Sequence, residues 1–205
     1  MSKLHQITKH KLLIGEGIEE EELFKELLKK MSINQDIAIN SYGGKNNLIN
    51  YLETLQLIPG FDNLESLGIT RDADNSIQSA FQSVCSALNK YNLPTPKNLN
   101  NPIANNGILK ISLFFLPDNK NNGMLEDLCL QSVANAPGIL CVENYLQCIQ
   151  ESTNRQPKNI AKAKVHAWLS SQIEPDKRLG EGAKKGYWDF NNLAFAPLKQ
   201  FILSL

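Results

Sequence analysis

The sequence predicts an α/β fold: a parallel sheet of about four strands with helices on both faces and a helical C-terminal extension. Three observations predict it. Short apolar runs alternate with segments of helical periodicity. Acidic residues recur just after those runs. Beyond Gly123 the pattern turns wholly helical. Strands separated by helices require right-handed parallel crossovers, and these cover both faces of the sheet.

The first strand is Lys11-Leu12-Leu13-Ile14, ending at Gly15-Glu16-Gly17. Ile18, Leu23, Phe24, Leu27 and Leu28 then recur at helical spacing, with glutamates early and lysines late, as a helix dipole prefers. Asp36 to Asn40 forms a second apolar segment, halted at Ser41-Tyr42-Gly43-Gly44. An amphipathic helix follows from about Lys45 to Leu57. The third strand, Leu64 to Thr70, ends at Arg71-Asp72-Ala73-Asp74. Asn75 or Ser76 caps the next helix, whose apolar face holds Ile77, Phe81, Val84 and Leu88.

Residues 92–107 contain six Asn and three Pro and are expected to lack regular structure. Ile108 to Leu116 is the most apolar strand, expected at the centre of the sheet. Helices are expected over Met124–Ala134, Ile139–Gln150, Asn159–Ile173 and from about Leu193, with Gly180–Gly186 as a flexible basic loop.

Composition narrows the class. With 42% hydrophobic and 20% charged residues and no net charge, the chain reads as an ordinary globular protein rather than a disordered one or a bulk polycation. No apolar run approaches the ~18 residues of a membrane span, so no membrane role is expected. The stretch Met1 to Gly15 is interrupted by Lys3, His5, Lys9, His10 and Lys11. It reads as the approach to a strand rather than a secretion signal, and a cytoplasmic location is expected. Cys85, Cys129, Cys141 and Cys148 show no C-x-x-C spacing and are expected to be reduced core thiols. His5, His10 and His166 form no H-E-x-x-H pair.

Charge is unevenly spread. Residues 1–150 carry 12 Lys+Arg against 16 Asp+Glu, whereas 151–185 carry 8 against 4. An acidic front and a basic rear suit a metal site beside a phosphate-binding surface. Lys158, Lys162 and Lys164 are read as solvating a helix.

In an open parallel sheet the functional crevice lies beyond the carboxyl ends of the strands. Strand one delivers Glu16 there, with Glu20 one helical turn on and facing the same way. Strand three delivers Asp72 and Asp74. After strand four, either Glu126 or Asp127 stands in the first turn of a helix. Carboxylates bunched in this way repel one another unless a cation joins them. Oxygen donors without His or Cys select Mg2+ or Mn2+. Two such ions about 4 Å apart are the usual device for in-line displacement at a phosphodiester. Lys45, following Gly43-Gly44 at a helix start, can hold a phosphate or simply close a glycine turn. The dinucleotide fingerprint is excluded because position 20 is Glu, and the phosphate loop because its upstream glycine and its Ser/Thr are missing.

At these residues the chain resembles the toprim domain of topoisomerases, bacterial primases and the overcoming-lysogenization-defect nucleases. The resemblance rests on Ile14-Gly15-Glu16-Gly17 with Glu20, on Gly43-Gly44-Lys45, and on Asp72-Ala73-Asp74. Gly123-Met124-Leu125-Glu126-Asp127 is similar to the distal acidic motif of the nuclease branch. The whole chain also resembles an uncharacterised stand-alone toprim-like family of about this length.

The resemblance implies a toprim-like (Rossmann-like) catalytic domain over 10–135 with a loop insertion at 91–108. Residues 136–205 would be a helical extension packed on the same core. It implies a metal-dependent nuclease acting on DNA or RNA, with an ATPase partner encoded nearby and a role in defence against phage as further expectations. Glu16 would be catalytic and metal-binding, Glu20, Asp72 and Asp74 metal ligands, and Glu126 or Asp127 part of a second metal site. Lys184 or Lys185 would stand near the scissile phosphate. Two further readings stay open: a non-catalytic toprim-fold interaction module, and a primase-like nucleotidyl transferase. The helical tail could serve as a homodimer surface, a substrate clamp or a partner dock.

Overall fold

The computed structural model describes residues 5–205, so the part of the strand approach that includes Lys3 lies outside the described residues. Five strands form one sheet in the order β2-β1-β3-β5-β4. These are β1 (Lys11–Gly15), β2 (Ile37–Ser41), β3 (Ser66–Asp72), β4 (Ile103–Asn105) and β5 (Lys110–Leu116). The first three and β5 pair in parallel, and β4 joins β5 antiparallel at the edge. The register sets Gly15 beside Ser41, Ile14 beside Ile69 and Asp72 beside Leu116, so the strands deliver their carboxyl ends to one edge.

Alternation along the strands divides the core into two layers. Leu12, Ile14, Leu67 and Ile69 face α2 (Leu48–Gln56) and α3 (Ile77–Lys90), meeting Leu52, Phe81 and Leu88. Leu13, Phe114 and Leu116 face the opposite layer. There α1 (Ile18–Lys30) contributes Leu23, Phe24 and Leu27, and α4 (Leu125–Ser132) contributes Leu125 and Leu128. The later helices fill the same layer. From α6 (Ile160–Ser170) come Trp168 and Leu169, from α7 (Leu179–Lys184) come Leu179 and Ala183, and from α8 (Ala196–Leu203) come Leu198 and Ile202. By contrast α5 (Pro137–Thr153) buries only Val142. Among the described residues no helix is long and apolar enough to cross a membrane.

Three expectations are corrected. The Asn-rich stretch 92–107 is not wholly irregular, because Ile103–Asn105 adds an edge strand to the sheet. Residues 180–184 are helical within α7 rather than a flexible loop. The helix is held by close packing: a Cβ on Gly180 would stand 2.7 Å from the Glu22 Cβ, so the missing side chain lets α7 lie against α1. The thiols are not uniformly buried either, since Cys141 and Cys148 are exposed on α5 while Cys129 is fully enclosed.

Candidate functional site

Glu16 leaves β1 directly after Gly15. A Cβ at position 15 would approach the Glu20 Cβ to 2.7 Å, so glycine is what lets the strand end against the first turn of α1. The backbone of Glu16 is pinned from the β2 side, where its carbonyl accepts the N–H of Gly44 at 2.7 Å. Its carboxylate accepts a hydrogen bond from the Lys45 backbone, while Oε2 is buried without a hydrogen-bond partner. Burial raises the Glu16 pKa. The Arg71 guanidinium opposes that rise and the charge of Asp74 adds to it.

Glu20 is 6% exposed and accepts the Gly17 N–H at 2.9 Å through Oε2, closing the start of α1. Burial, with the charges of Glu16 and Glu126 adding to it, pushes its carboxyl up to about 7.

Asp72 is the last residue of β3. Its Oδ1 accepts the backbone N–H of Leu125, at the start of α4, at 2.9 Å. Burial pushes this carboxyl up to about 9, and Glu20, Glu16 and Glu126 all press in the same direction. Two residues on, Asp74 adopts a left-handed φ of 49° and exchanges two backbone hydrogen bonds with Gly123, at 2.8 and 2.9 Å. The loops after β3 and β5 are thereby clasped together. Asn122 strengthens the clasp, with Oδ1 accepting the Ile77 N–H and Nδ2 donating to the Asn75 carbonyl. Asp74 Oδ2 lies 3.1 Å from Lys45 Nζ, which brings the Gly43-Gly44-Lys45 turn onto the acidic edge.

The pair after β5 divides its work. Asp127 Oδ2 accepts the Met124 N–H at 2.8 Å, capping α4. Glu126 instead contributes its charge to both Glu20 and Asp72, and its Oε1 lies 3.8 Å from Lys162 Nζ. Lys184 and Lys185 are engaged elsewhere. Lys184 pairs with Glu22 at 3.1 Å and Lys185 with Glu174 at 2.5 Å.

Glu16, Glu20, Asp72 and Glu126 therefore share one electrostatic field at the carboxyl edge of the sheet, with Asp74 reaching Glu16. Among the described residues, no three His, Cys, Asp or Glu side chains are already drawn into a metal cage. The donor set nonetheless suits a hard divalent cation: every member is a carboxylate, two are strongly destabilised as anions, and Glu16 carries an unpartnered buried oxygen.

Two neighbours, Arg71 and Tyr42, were not singled out from sequence, and a third, Lys162, was read only as solvating a helix. Arg71 precedes Asp72 and points to the opposite sheet face by strand alternation. Its Nη1 donates to Ser83 Oγ at 2.9 Å, and its buried Nε has no hydrogen-bond partner. Tyr42, fully buried, donates its hydroxyl to the Thr70 carbonyl at 3.0 Å and tethers the end of β3. Lys162 reaches Glu126 only through the packing of α6 on α4. A basic residue after a strand can be read locally, as Arg71 could have been; Lys162 depends on a tertiary contact.

The family described as "Protein of unknown function (DUF3226)" matches residues 10–205. No curated protein matches the chain. Among solved structures the chain is similar to the C-terminal region of the Xanthomonas campestris pv. campestris OLD protein. The iodine-phased structure shows 16% identity and a TM-score of 0.40, covering 93% of this chain and 86% of that one. The platinum-phased structure shows 12% identity and a TM-score of 0.42, covering 96% and 98%.

Proposed function

We propose that this chain, which belongs to the family described as "Protein of unknown function (DUF3226)", is a metal-dependent nuclease module that cleaves phosphodiester bonds in DNA or RNA. One observation carries the reading: the carboxyls of Glu16 after β1, Glu20 in α1 and Asp72 in β3 are raised, Asp72 to about 9 and Glu20 to about 7, and the charge of Glu126 in α4 presses on the last two. Acids held at such a cost are a mark of functional sites. The toprim resemblance of the same positions supports the assignment.

Glu16, Glu20, Asp72, Asp74 and Glu126 would hold Mg2+ or Mn2+. When bound, the ion would polarise a phosphodiester and neutralise charge developing on it. Glu16 would accept a proton from the attacking water, with Arg71 favouring the carboxylate form needed for that task. Asp127 is assigned to capping α4. Lys45 would turn from Asp74 to a substrate phosphate. We assign the lysine beside the scissile phosphate to Lys162, ahead of Lys184 and Lys185, because its ammonium stands next to Glu126. Control by an ATPase encoded nearby and service in phage defence extend the same reading and rest on the resemblance alone.

The test is cleavage of plasmid, linear DNA and transfer RNA with Mg2+ or Mn2+, beside calorimetry of metal binding. Glu16→Gln and Asp72→Asn are expected to abolish cleavage. Absence of both metal heat and cleavage, with and without the ATPase partner, overturns the proposal. The second reading, a non-catalytic interaction module, is favoured by the structural duties of Asp72 and Glu20, which accept the backbone N–H groups of Leu125 and Gly17. Partner binding that survives Asp72→Asn together with Asp74→Asn, with no metal heat, would select it.

A further inference from the structure

The stretch from Arg155 to Lys164 carries four cations and no acid in a chain of zero net charge. Residues 151–158 are all exposed, so the charges in this connection do not serve packing. α5 ends at Asn154, in the left-handed conformation, and the connection then runs to the start of α6. Of the four cations, Lys164 is matched by Glu143 at 2.6 Å. Lys162 stands 3.8 Å from Glu126, at the border of the acidic edge. Arg155 and Lys158 are exposed, and among the described residues neither makes an ion pair within 4 Å. The connection is docked at its far end, where Asn159 Nδ2 lies 3.3 Å from the sulfur of Met124, the residue that opens α4. Leu125, next in the chain, donates its N–H to Asp72. The cations thus lead from open solvent to the carboxylates.

We infer that Arg155, Lys158 and Lys162 form a track for the sugar-phosphate backbone of a nucleic acid, guiding it to the acidic edge. The inference rests on the nuclease reading and adds the surface that delivers the substrate. Charge complementarity selects the occupant. Exposed cations in a connection that holds no aliphatic or aromatic anchor over 151–158 match a regular polyanion, whereas a folded protein partner would seek buried aromatic or aliphatic contacts. Such a track contacts phosphates rather than base edges, so it binds without sequence preference. Position also matters: the track raises the local concentration of phosphodiester beside carboxylates that would otherwise repel it.

The test measures binding apart from cleavage, by fluorescence anisotropy of labelled single-stranded and duplex oligonucleotides in EDTA across a salt series. The double substitution Arg155→Ala with Lys158→Ala is expected to weaken binding by about tenfold at low salt. It should also reduce the slope of log affinity against log salt by about 2, one for each lost phosphate contact. Lys90→Ala, at the end of α3 on the opposite edge of the sheet, should change neither, and circular dichroism should show all variants folded. An unchanged slope and affinity in the double variant overturns the track, as does equal displacement of the oligonucleotide by polyglutamate. Failure of the nuclease reading looks different: salt-dependent binding through the track would persist while no metal supports cleavage.

Discussion

Asp72 accepts the backbone N–H of Leu125 at 2.9 Å, so the last residue of β3 caps the approach to α4. One carboxylate oxygen is thereby committed to a peptide group and the side chain is aimed at the acidic edge. A helix start favours an anion nearby, yet burial and three neighbouring acids outweigh it here, and the proton is held to about pH 9.

Without divalent ions, stability is expected to fall as pH rises. Asp72 and Glu20 have folded pKa values of about 9 and about 7, both above the usual carboxylate values. The folded state therefore binds more protons than the unfolded chain between about pH 4 and pH 9. Their contribution is fully present below that window and is lost as pH climbs through it. Thermal melts in EDTA from pH 5 to pH 9 should show a declining Tm, and Asp72→Asn should flatten the decline. A Tm that rises across this range in EDTA would contradict the prediction.

Divalent metal is expected to reverse that loss. Mn2+ at a hundred times its Kd should add about 2.7 kcal/mol, by linkage, at pH 8. The gain should shrink at pH 5, where protons compete for the same oxygens, and should be reduced in Glu16→Gln and Glu126→Gln. Calorimetry and melts at the two pH values check both parts.

Asp127 and Glu126 should separate cleanly. Asp127→Ala removes the acceptor for the Met124 N–H and is expected to cost about 1 kcal/mol in urea unfolding, with Mn2+ heat retained. Glu126→Gln should do the reverse, weakening metal binding and leaving stability in EDTA equal or higher, because it removes charge from the field around Glu20 and Asp72. Equal metal affinity in both variants would refute this division.

Gly15→Ala should disturb the site through packing alone. The added methyl would meet the Glu20 Cβ at 2.7 Å and the Phe24 ring at 3.2 Å. A loss of about 1–3 kcal/mol is expected. Urea unfolding measures it, and an unchanged midpoint would mean that the first turn of α1 yields more easily than its burial suggests.

Much of the layout was legible because physical pattern and fold agree. Leu12-Leu13-Ile14 and Leu113 to Leu116 are apolar on both faces, as strands covered on both sides must be. Ile77, Phe81, Val84 and Leu88 carry a clear helical period, and Ser76 caps their helix as its residue type suggests. The acids at positions 16, 20, 72 and 74 could be placed because strand ends face one edge in a parallel sheet. β4 escaped notice because Ile103-Ala104-Asn105 pairs through its backbone, with little side-chain burial to mark it. α7 escaped because Gly180 and Gly182 read as helix breakers, whereas both are needed for close approach, Gly180 to Glu22 and Gly182 to Leu169. The different duties of Glu126 and Asp127, and the meeting of Lys162 with Glu126, depend on contacts that no local pattern encodes.

The clasp between Asp74 and Gly123 makes two distant loops a single mechanical part. Grafting Arg71 to Asn75 onto another scaffold would carry the two aspartates but leave behind the Pro117–Met124 turn that orients them. For engineering purposes the transferable unit is the pair of loops with the first residue of α4, and lengthening either loop alone would misaim the carboxyl groups of both.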